Sequence, residues 1–323
     1  MAGGRATMTI CYEPPPTYFV HVPKTGGISL GTFLEANFRH ADYVRLNPPR
    51  LAQLAPADLK HFRCYHAMHQ GRTLLEMTGR TDLTCITVVR DPVERSVSQL
   101  LYLQRTIAKI PETFTAAYVA QVAPIMHAEL SECLGHEAFL QACNSQIRTL
   151  GILEDYTPFF KGSVDAASGR TVLRPYDPPP LMDTSDRNLL LDNARRWLNE
   201  MAVVGMTEYY AESLLLVCDA LGIPPPANLP RHNVNPQRSD LTSRYRTQLA
   251  PEVVGQIEAL TAHDQQLYGH AHELFMQQWT RYQAHPQRTY SIAPRLRQGA
   301  VRLNRPIKRV KRTFKRLLQS VQP

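Results

Sequence analysis

The sequence predicts an α/β fold: a single domain on a central parallel sheet flanked by helices. Three observations carry this. Short runs rich in β-branched and aromatic residues recur at 17–22, 61–68, 82–90 and 201–206, the signature of buried strands. All but the run at 61–68 lead into segments with the apolar spacing of a helix. Strands alternating with helices imply parallel pairing through right-handed crossovers. The chain has 323 residues, 43% of them hydrophobic, which is ample for a well-buried core. The expected organisation is an N-terminal extension over 1–16, the domain over 17–280 and a basic tail over 281–323.

The elements follow in order. TYFVHV (17–22), preceded by three prolines, reads as a buried strand. Helical character starts near Gly27 and runs to about Phe38, with Leu30, Phe33, Leu34 and Phe38 on one face. HFRCYHAM (61–68) is a second strand, and DLTCITVVR (82–90) is the clearest after the first. DPVERSVSQLLYLQRTI (91–107) is a helix with Pro92 in its first turn, where the missing N–H costs nothing. The region 112–150 reads as helical and stops at Gly151. A Pro-rich stretch, 162–186, reads as a loop or insertion. A helix over 187–200, the strand MAVVGM (201–206) and a helix over 208–222 come next. IPPPANLPRHNVNPQRSD (223–240) is a second long loop, and a last helix covers about 251–278. The sequence contains no internal repeat.

Composition narrows the function classes. No apolar run approaches the roughly 18–20 residues that span a bilayer. The N-terminal MAGGRATMTICYEPPPTYF lacks the apolar core of a secretory signal, so the expected address is the cytoplasm. Cysteines stand at 11, 64, 85, 133, 143 and 218 with no C-x-x-C, which argues against zinc and thioredoxin-like sites. They are expected to be reduced thiols, Cys133 and Cys143 being close enough in sequence to pair in an exported chain. The net charge of +8 is unevenly spread. Eleven of the 36 lysines and arginines lie between Arg288 and Pro323, which holds no acid, leaving 25 against 28 acids elsewhere. The folded part is thus near neutral, which argues against a specific nucleic-acid-binding core.

HVPKTGGISLGTF (21–33) has the ingredients of a phosphate-binding loop in an unusual order. The nucleoside-triphosphate loop G-x-x-x-x-G-K-[ST] places lysine after the glycines, whereas Lys24 here precedes them. A strand that ends in a Gly-containing turn and opens a helix still gathers backbone N–H groups and the positive helix end at one point. Lys24 adds a charge, Thr25 and Ser29 add hydroxyls, and Gly26 and Gly27 let an anion approach the backbone. The plainer alternative is an ordinary turn with a solvated lysine. VVRDPVERSVSQ (88–99) repeats the logic, with Arg90 at a strand's carboxyl end and Ser98 two helical turns on. Its alternative is an ion pair of Arg90 with Asp91 or Glu94. Two anion sites on neighbouring strands suit a ligand with two separated phosphates, because ligands of open α/β sheets bind outside the strands' carboxyl ends.

HVPKTGG-S followed by RDPVERSVSQ resembles the PAPS-dependent sulfotransferases, especially the branch of heparan-sulfate 2-O- and related carbohydrate sulfotransferases. The likeness runs from about 17 to 275, with echoes in NSQIRTLG (144–151), VVGMTEYYAESL (203–214) and HNVNP (232–236). It implies a P-loop-like nucleotide-binding architecture holding 3′-phosphoadenosine-5′-phosphosulfate (PAPS) as co-substrate. By this resemblance Lys24, Thr25, Gly26, Gly27, Ile28 and Ser29 take the 5′-phosphosulfate, and Arg90 and Ser98, at the family's spacing of eight, take the 3′-phosphate. It further implies Lys24 as the group stabilising the leaving phosphate, no metal, and a hydroxyl acceptor on a carbohydrate or glycoconjugate such as a glycolipid. The general base is expected at His66, with His61 and His69 as competitors and His21 supporting the strand. Asn233 and Asn235 are candidates for nucleotide contact. Two positions depart from the family: Ile28 replaces a Thr or Ser, and Tyr65-His66 replaces Gly-His. The rival readings are a P-loop kinase or NTPase, for which Asp91 is the nearest magnesium-binding acid, and a non-catalytic module that binds glycan or membrane.

In the tail, Ile307, Val310, Phe314, Leu317 and Val321 fall on one helical face, and Lys308, Arg309, Lys311, Arg312, Lys315 and Arg316 fill the other sides. Such a helix suits an anionic membrane surface, each basic residue contributing about 1 kcal/mol near it. Packing on the core, a solvated charge run and acidic-glycan binding are the alternatives. The full chain is expected to co-sediment with anionic but not neutral vesicles, less so at high salt, and a chain lacking 300–323 is not. Equal sedimentation of the two chains rejects the membrane reading.

Overall fold

The computed structural model describes residues 13–46, 54, 56–68, 71–152, 163–164, 171–172, 183–228 and 245–284. All lie in the compact unit Glu13–Gln287. Cys11, His69, Asn233, Asn235, the tail helix and most of the Pro-rich stretch 162–186 lie outside the described residues.

Five strands form the central sheet: β1 (Thr17–His21), β2 (Tyr43–Leu46), β3 (Cys64–Met68), β4 (Thr84–Val89) and β5 (Val203–Met206). Their order is β2-β3-β1-β4-β5, and every pairing is parallel. Every residue of β1 is buried. That is why its sequence is a continuous β-branched and aromatic run rather than an alternating one: both faces of a parallel sheet are covered. β2 went unrecognised in the sequence. It has only four residues and pairs with β3 alone, and its Arg45 is exposed, so neither length nor hydropathy marks it.

The principal helices are α1 (Gly27–Asn37), α2 (Thr73–Thr78), α3 (Pro92–Lys109), α4 (Ser145–Gly151), α5 (Thr184–Glu200), α6 (Tyr210–Leu221), α7 (Pro251–Leu260) and α8 (Ala262–Ala284). The expected helical region 112–150 is broken into short pieces at Ala116–Val122, Leu130–Cys133, Glu137–Ala142 and α4. Pro124 and Gly135 fall in the breaks, where a helix loses a donor or gains chain entropy. α3 starts as its sequence implies: Pro92 is in the first turn, and the Asp91 carboxylate accepts from Val93 N at 2.9 Å and Glu94 N at 3.1 Å. Val93, Val97, Leu100, Leu103 and Ile107 face a second apolar cluster with Phe114, Phe139 and Ile257, separate from the core around the sheet. Cys64, Cys85, Cys133, Cys143 and Cys218 are all free thiols. Among the described residues no helix is long and apolar enough to cross a membrane.

The chain leaves β1 toward one edge of the sheet and β4 toward the other. The crevice between their carboxyl ends is therefore a switch point, where open sheets bind ligands. α1 starts at this crevice and then lies over β1 and β3 by an unusually close approach. A Cβ built on Gly27 would stand 2.0 Å from the His21 ring, and one on Gly31 would stand 2.2 Å from the His66 ring. These two glycines, one turn apart, let the helix backbone rest on two imidazoles, which offsets the roughly 1 kcal/mol a mid-helix glycine costs.

Gly31→Ala is expected to lower stability by about 1–3 kcal/mol, an overpacking loss opposite in sign to alanine's usual helical gain. In His66→Ala that penalty should shrink. Denaturant melts of the four chains of the cycle measure this, and additivity within about 0.5 kcal/mol would show that the contact is not made.

Candidate functional site

After His21 the chain turns through Val22–Gly26 into α1. The loop is closed from within: the Thr25 hydroxyl, fully buried, donates to the Val22 carbonyl at 2.8 Å. Thr25 therefore shapes the loop, and its proton is already given. Gly26 caps α1 with φ 83°, a left-handed conformation that favours glycine. A Cβ there would lie 3.5 Å from the Tyr210 ring, which walls one side of the loop. Among the described residues no side chain caps α1, and its first turn carries no acid. The positive end of this helix is thus uncompensated. Gly26 is exposed, Pro23, Lys24 and Ile28 are half-buried, and Gly27 and Ser29 are turned into the fold.

Lys24 holds φ 72°, and Asn144 is the other non-glycine with positive φ among the described residues. For a long side chain this costs about 1–2 kcal/mol, so the surroundings must enforce it. Arg90 does so from the neighbouring strand, its Nη1 donating to the Lys24 carbonyl at 3.1 Å. The Thr207 hydroxyl, just beyond β5, lies 2.8 Å from the Thr25 carbonyl and 3.1 Å from that of Val89. The Lys24 ammonium sits 4.3 Å from the centroid of the Tyr102 ring on α3. Its pKa is lowered to about 8, first by burial and then by Arg105, Arg90 and Arg95.

Arg90 is buried at the end of β4. Its Nη2 pairs with Glu94 Oε2 at 3.1 Å, so the ion-pair alternative is present together with the contact to the lysine loop. Its backbone is clasped by Gln146, with Arg90 N donating to Oε1 at 3.0 Å and Nε2 donating to Arg90 O at 2.9 Å. Asp91 pairs with Arg246 at 2.9 Å besides capping α3. Ser98 is half-buried on α3, one turn before Tyr102.

His66 stands elsewhere. It is 1% exposed, under α1, and both ring nitrogens are engaged: Nδ1 lies 2.8 Å from the Tyr43 hydroxyl, and Nε2 lies 2.8 Å from His21 Nδ1. Tyr43 also donates to the Gly31 carbonyl at 3.2 Å. One proton arrangement satisfies these three contacts together: Tyr43 donates to Gly31, His66 Nδ1–H donates to Tyr43, and His66 Nε2 accepts from His21 Nδ1–H. Burial, and then Arg45, depress its pKa to about 3, so the ring is neutral at physiological pH. His61 is exposed before the amino end of β3, whereas the Lys24 loop follows the carboxyl end of the parallel strand β1.

The structure therefore brings together Lys24, Gly26, Ile28 and Arg90, and reaches His66 only through His21. Sequence reasoning missed Tyr102, Arg105, Gln146 and Thr207. Tyr102 had a usable signal, its spacing of four from Ser98; Gln146 and Thr207 fall within the echoes NSQIRTLG and VVGMTEYYAESL, which marked their segments but not their contacts. In comparisons with known proteins, the chain matches no protein-family model and no curated protein.

Because the backbone at Lys24 is left-handed, Lys24→Gly is expected to be more stable than Lys24→Ala by about 1–2 kcal/mol. Equal denaturant midpoints for the two variants would show that this loop stores no backbone strain.

Proposed function

We propose that the chain is a PAPS-dependent sulfotransferase that moves a sulfuryl group to a hydroxyl of a carbohydrate or glycoconjugate. The observation that carries the reading is the hydrogen bond from Arg90 Nη1 to the Lys24 carbonyl. It joins the two motif segments at the carboxyl ends of adjacent strands β1 and β4. The β2-β3-β1-β4-β5 order, with its reversal between β1 and β4, supports a P-loop-like site in which the lysine precedes the glycines.

In this reading the acceptor oxygen bonds to sulfur as the bond between sulfur and the 5′-phosphate oxygen breaks. The electron pair stays on the leaving 3′,5′-diphosphoadenosine, and the hydroxyl proton passes to a base. The Lys24 ammonium and the uncapped amides of α1 meet the charge that grows on the leaving phosphate. Gly26 gives the anion access to the backbone, and Ile28 serves through its N–H. Arg90 and Ser98 hold the 3′-phosphate. The resemblance implies His66 as that base; both its ring nitrogens are engaged, by Tyr43 and His21, and His21 is buried beside it, so in this reading the imidazoles support α1 and the group that takes the proton is left unassigned. The kinase reading is weaker: Asp91, its nearest magnesium candidate, is committed to capping α3 and to Arg246.

Binding of 3′,5′-diphosphoadenosine, 5′-AMP and ATP tests the reading. The wild-type chain should prefer the diphosphate over 5′-AMP by about tenfold or more, the worth of one charge-assisted contact, and Arg90→Ala should lose the preference. With radiolabelled PAPS and a fractionated host extract, Lys24→Ala should lose roughly 10²–10³ in turnover. ATP bound more tightly than the diphosphate would overturn the proposal.

A further inference from the structure

Tyr102 is 45% exposed on α3, away from the buried stripe that seats this helix. Core packing does not account for an aromatic there. Its ring meets the one cation of the loop whose charge is in question. Lys24 faces Arg105, Arg90 and Arg95, all of which disfavour its proton, and burial does the same. The carboxylates nearby are turned to other cations. Glu94 pairs with Arg90 and accepts from Arg246 N at 3.1 Å, and Asp91 pairs with the Arg246 guanidinium. Lys24 forms no ion pair among the described residues. What opposes the three guanidiniums is the negative face of the Tyr102 ring, 4.3 Å from Nζ to the centroid.

We propose that Tyr102 is a positioning residue for Lys24: the face of its ring keeps the ammonium charged and fixed at the loop mouth before an anion arrives. The inference rests on Lys24 being the loop cation of the proposed function, and it deepens that reading without depending on which anion binds. A lysine surrounded by arginines would otherwise yield its proton first, since a guanidinium stays charged. A neutral amine at that point would leave the leaving phosphate without its nearest charge. Placing the cation over an aromatic ring, rather than beside a carboxylate, also avoids a fixed negative charge that would repel the incoming anion.

The test compares the full chain with Tyr102→Phe and Tyr102→Leu, neither of which lowers helix propensity at this exposed position. Acylation of Lys24 by acetic anhydride, read by peptide mass spectrometry across pH, gives the midpoint at which the free amine appears. Altered access changes the plateau but not the midpoint. Since the ring favours the charged form, its removal lowers the pKa. The Leu variant should therefore shift its midpoint downward by about half a pH unit or more, with Phe staying close to the wild type. A midpoint in the Leu variant that is unchanged or raised overturns the proposal, as does a Phe variant that behaves like Leu. Affinity for 3′,5′-diphosphoadenosine over the same pH range is the second readout. It should decline at lower pH in the Leu variant and converge with wild type in acid. If the labelling shift appears but the diphosphate binds nowhere in the range, the positioning role stands and the sulfotransferase reading falls.

Discussion

The hydrogen bond from the Arg90 guanidinium to the Lys24 carbonyl is the contact on which the rest of the site depends. It spans adjacent strands, fixes a lysine in a backbone conformation that residue disfavours, and sets where the ammonium stands. The arginine is itself held from behind. Gln146 clasps its backbone, and Asp264 on α8 accepts from Gln146 N at 3.1 Å and from Ile147 N at 2.9 Å. Asn144 ties into the same group by accepting from Asp264 N at 3.0 Å and donating to the Leu260 carbonyl at 2.8 Å. Arg95, fully buried, lies 3.9 Å from the Asp264 carboxylate and also donates to the Ala142 carbonyl. Burial raises the pKa of the Asp264 carboxyl above the usual carboxylate range, and Arg95 with the two backbone N–H groups offsets only part of that rise. A buried carboxylate with several donors is tolerable, whereas one stripped of a partner is strongly destabilising. The path from α8 to the loop is therefore continuous in polar contacts, although the motif residues at its end are more than a hundred positions away in sequence.

Much of this fold was legible in the residues, and the exceptions have physical causes. β1, β4, β5 and α3 stood out because each is buried enough, or long enough, for its side-chain period to dominate its composition. β2 was hidden by its length and by its place at the sheet edge. The short helices between 116 and 151 shared an apolar character that said helix without saying where each one ends. At the site, the two anion segments could be read because strand, turn and helix are local events. That Arg90 serves Lys24 and Glu94 at once could not, since it depends on how the strands pair.

The histidines show the same division. His66 was selectable as a titratable residue between two motifs, but its burial follows from the register of β3 against β1, which sets it beside Phe19, and from α1 lying over both. A neutral imidazole with both nitrogens satisfied is a stable thing to bury, since it carries no charge to desolvate and leaves no donor orphaned. The sequence did hold a clue: two glycines four apart in a helix mark a face on which something bulky lies against the backbone.

That face has a mechanical meaning. Two imidazole rings seated in two backbone notches act as a key in a lock. Because the two glycines are one turn apart, sliding α1 by one turn, 5.4 Å, would bring one glycine to the other's ring but set a wider residue or no helix against the second ring, and rotating it would displace both glycines. The helix thus has one axial position on the sheet, and the cluster of amides at its start has one location in space. Whatever charge the loop receives, the distance from those amides to the Lys24 ammonium is set by a fit between glycines and histidines on the far side of the helix from the solvent.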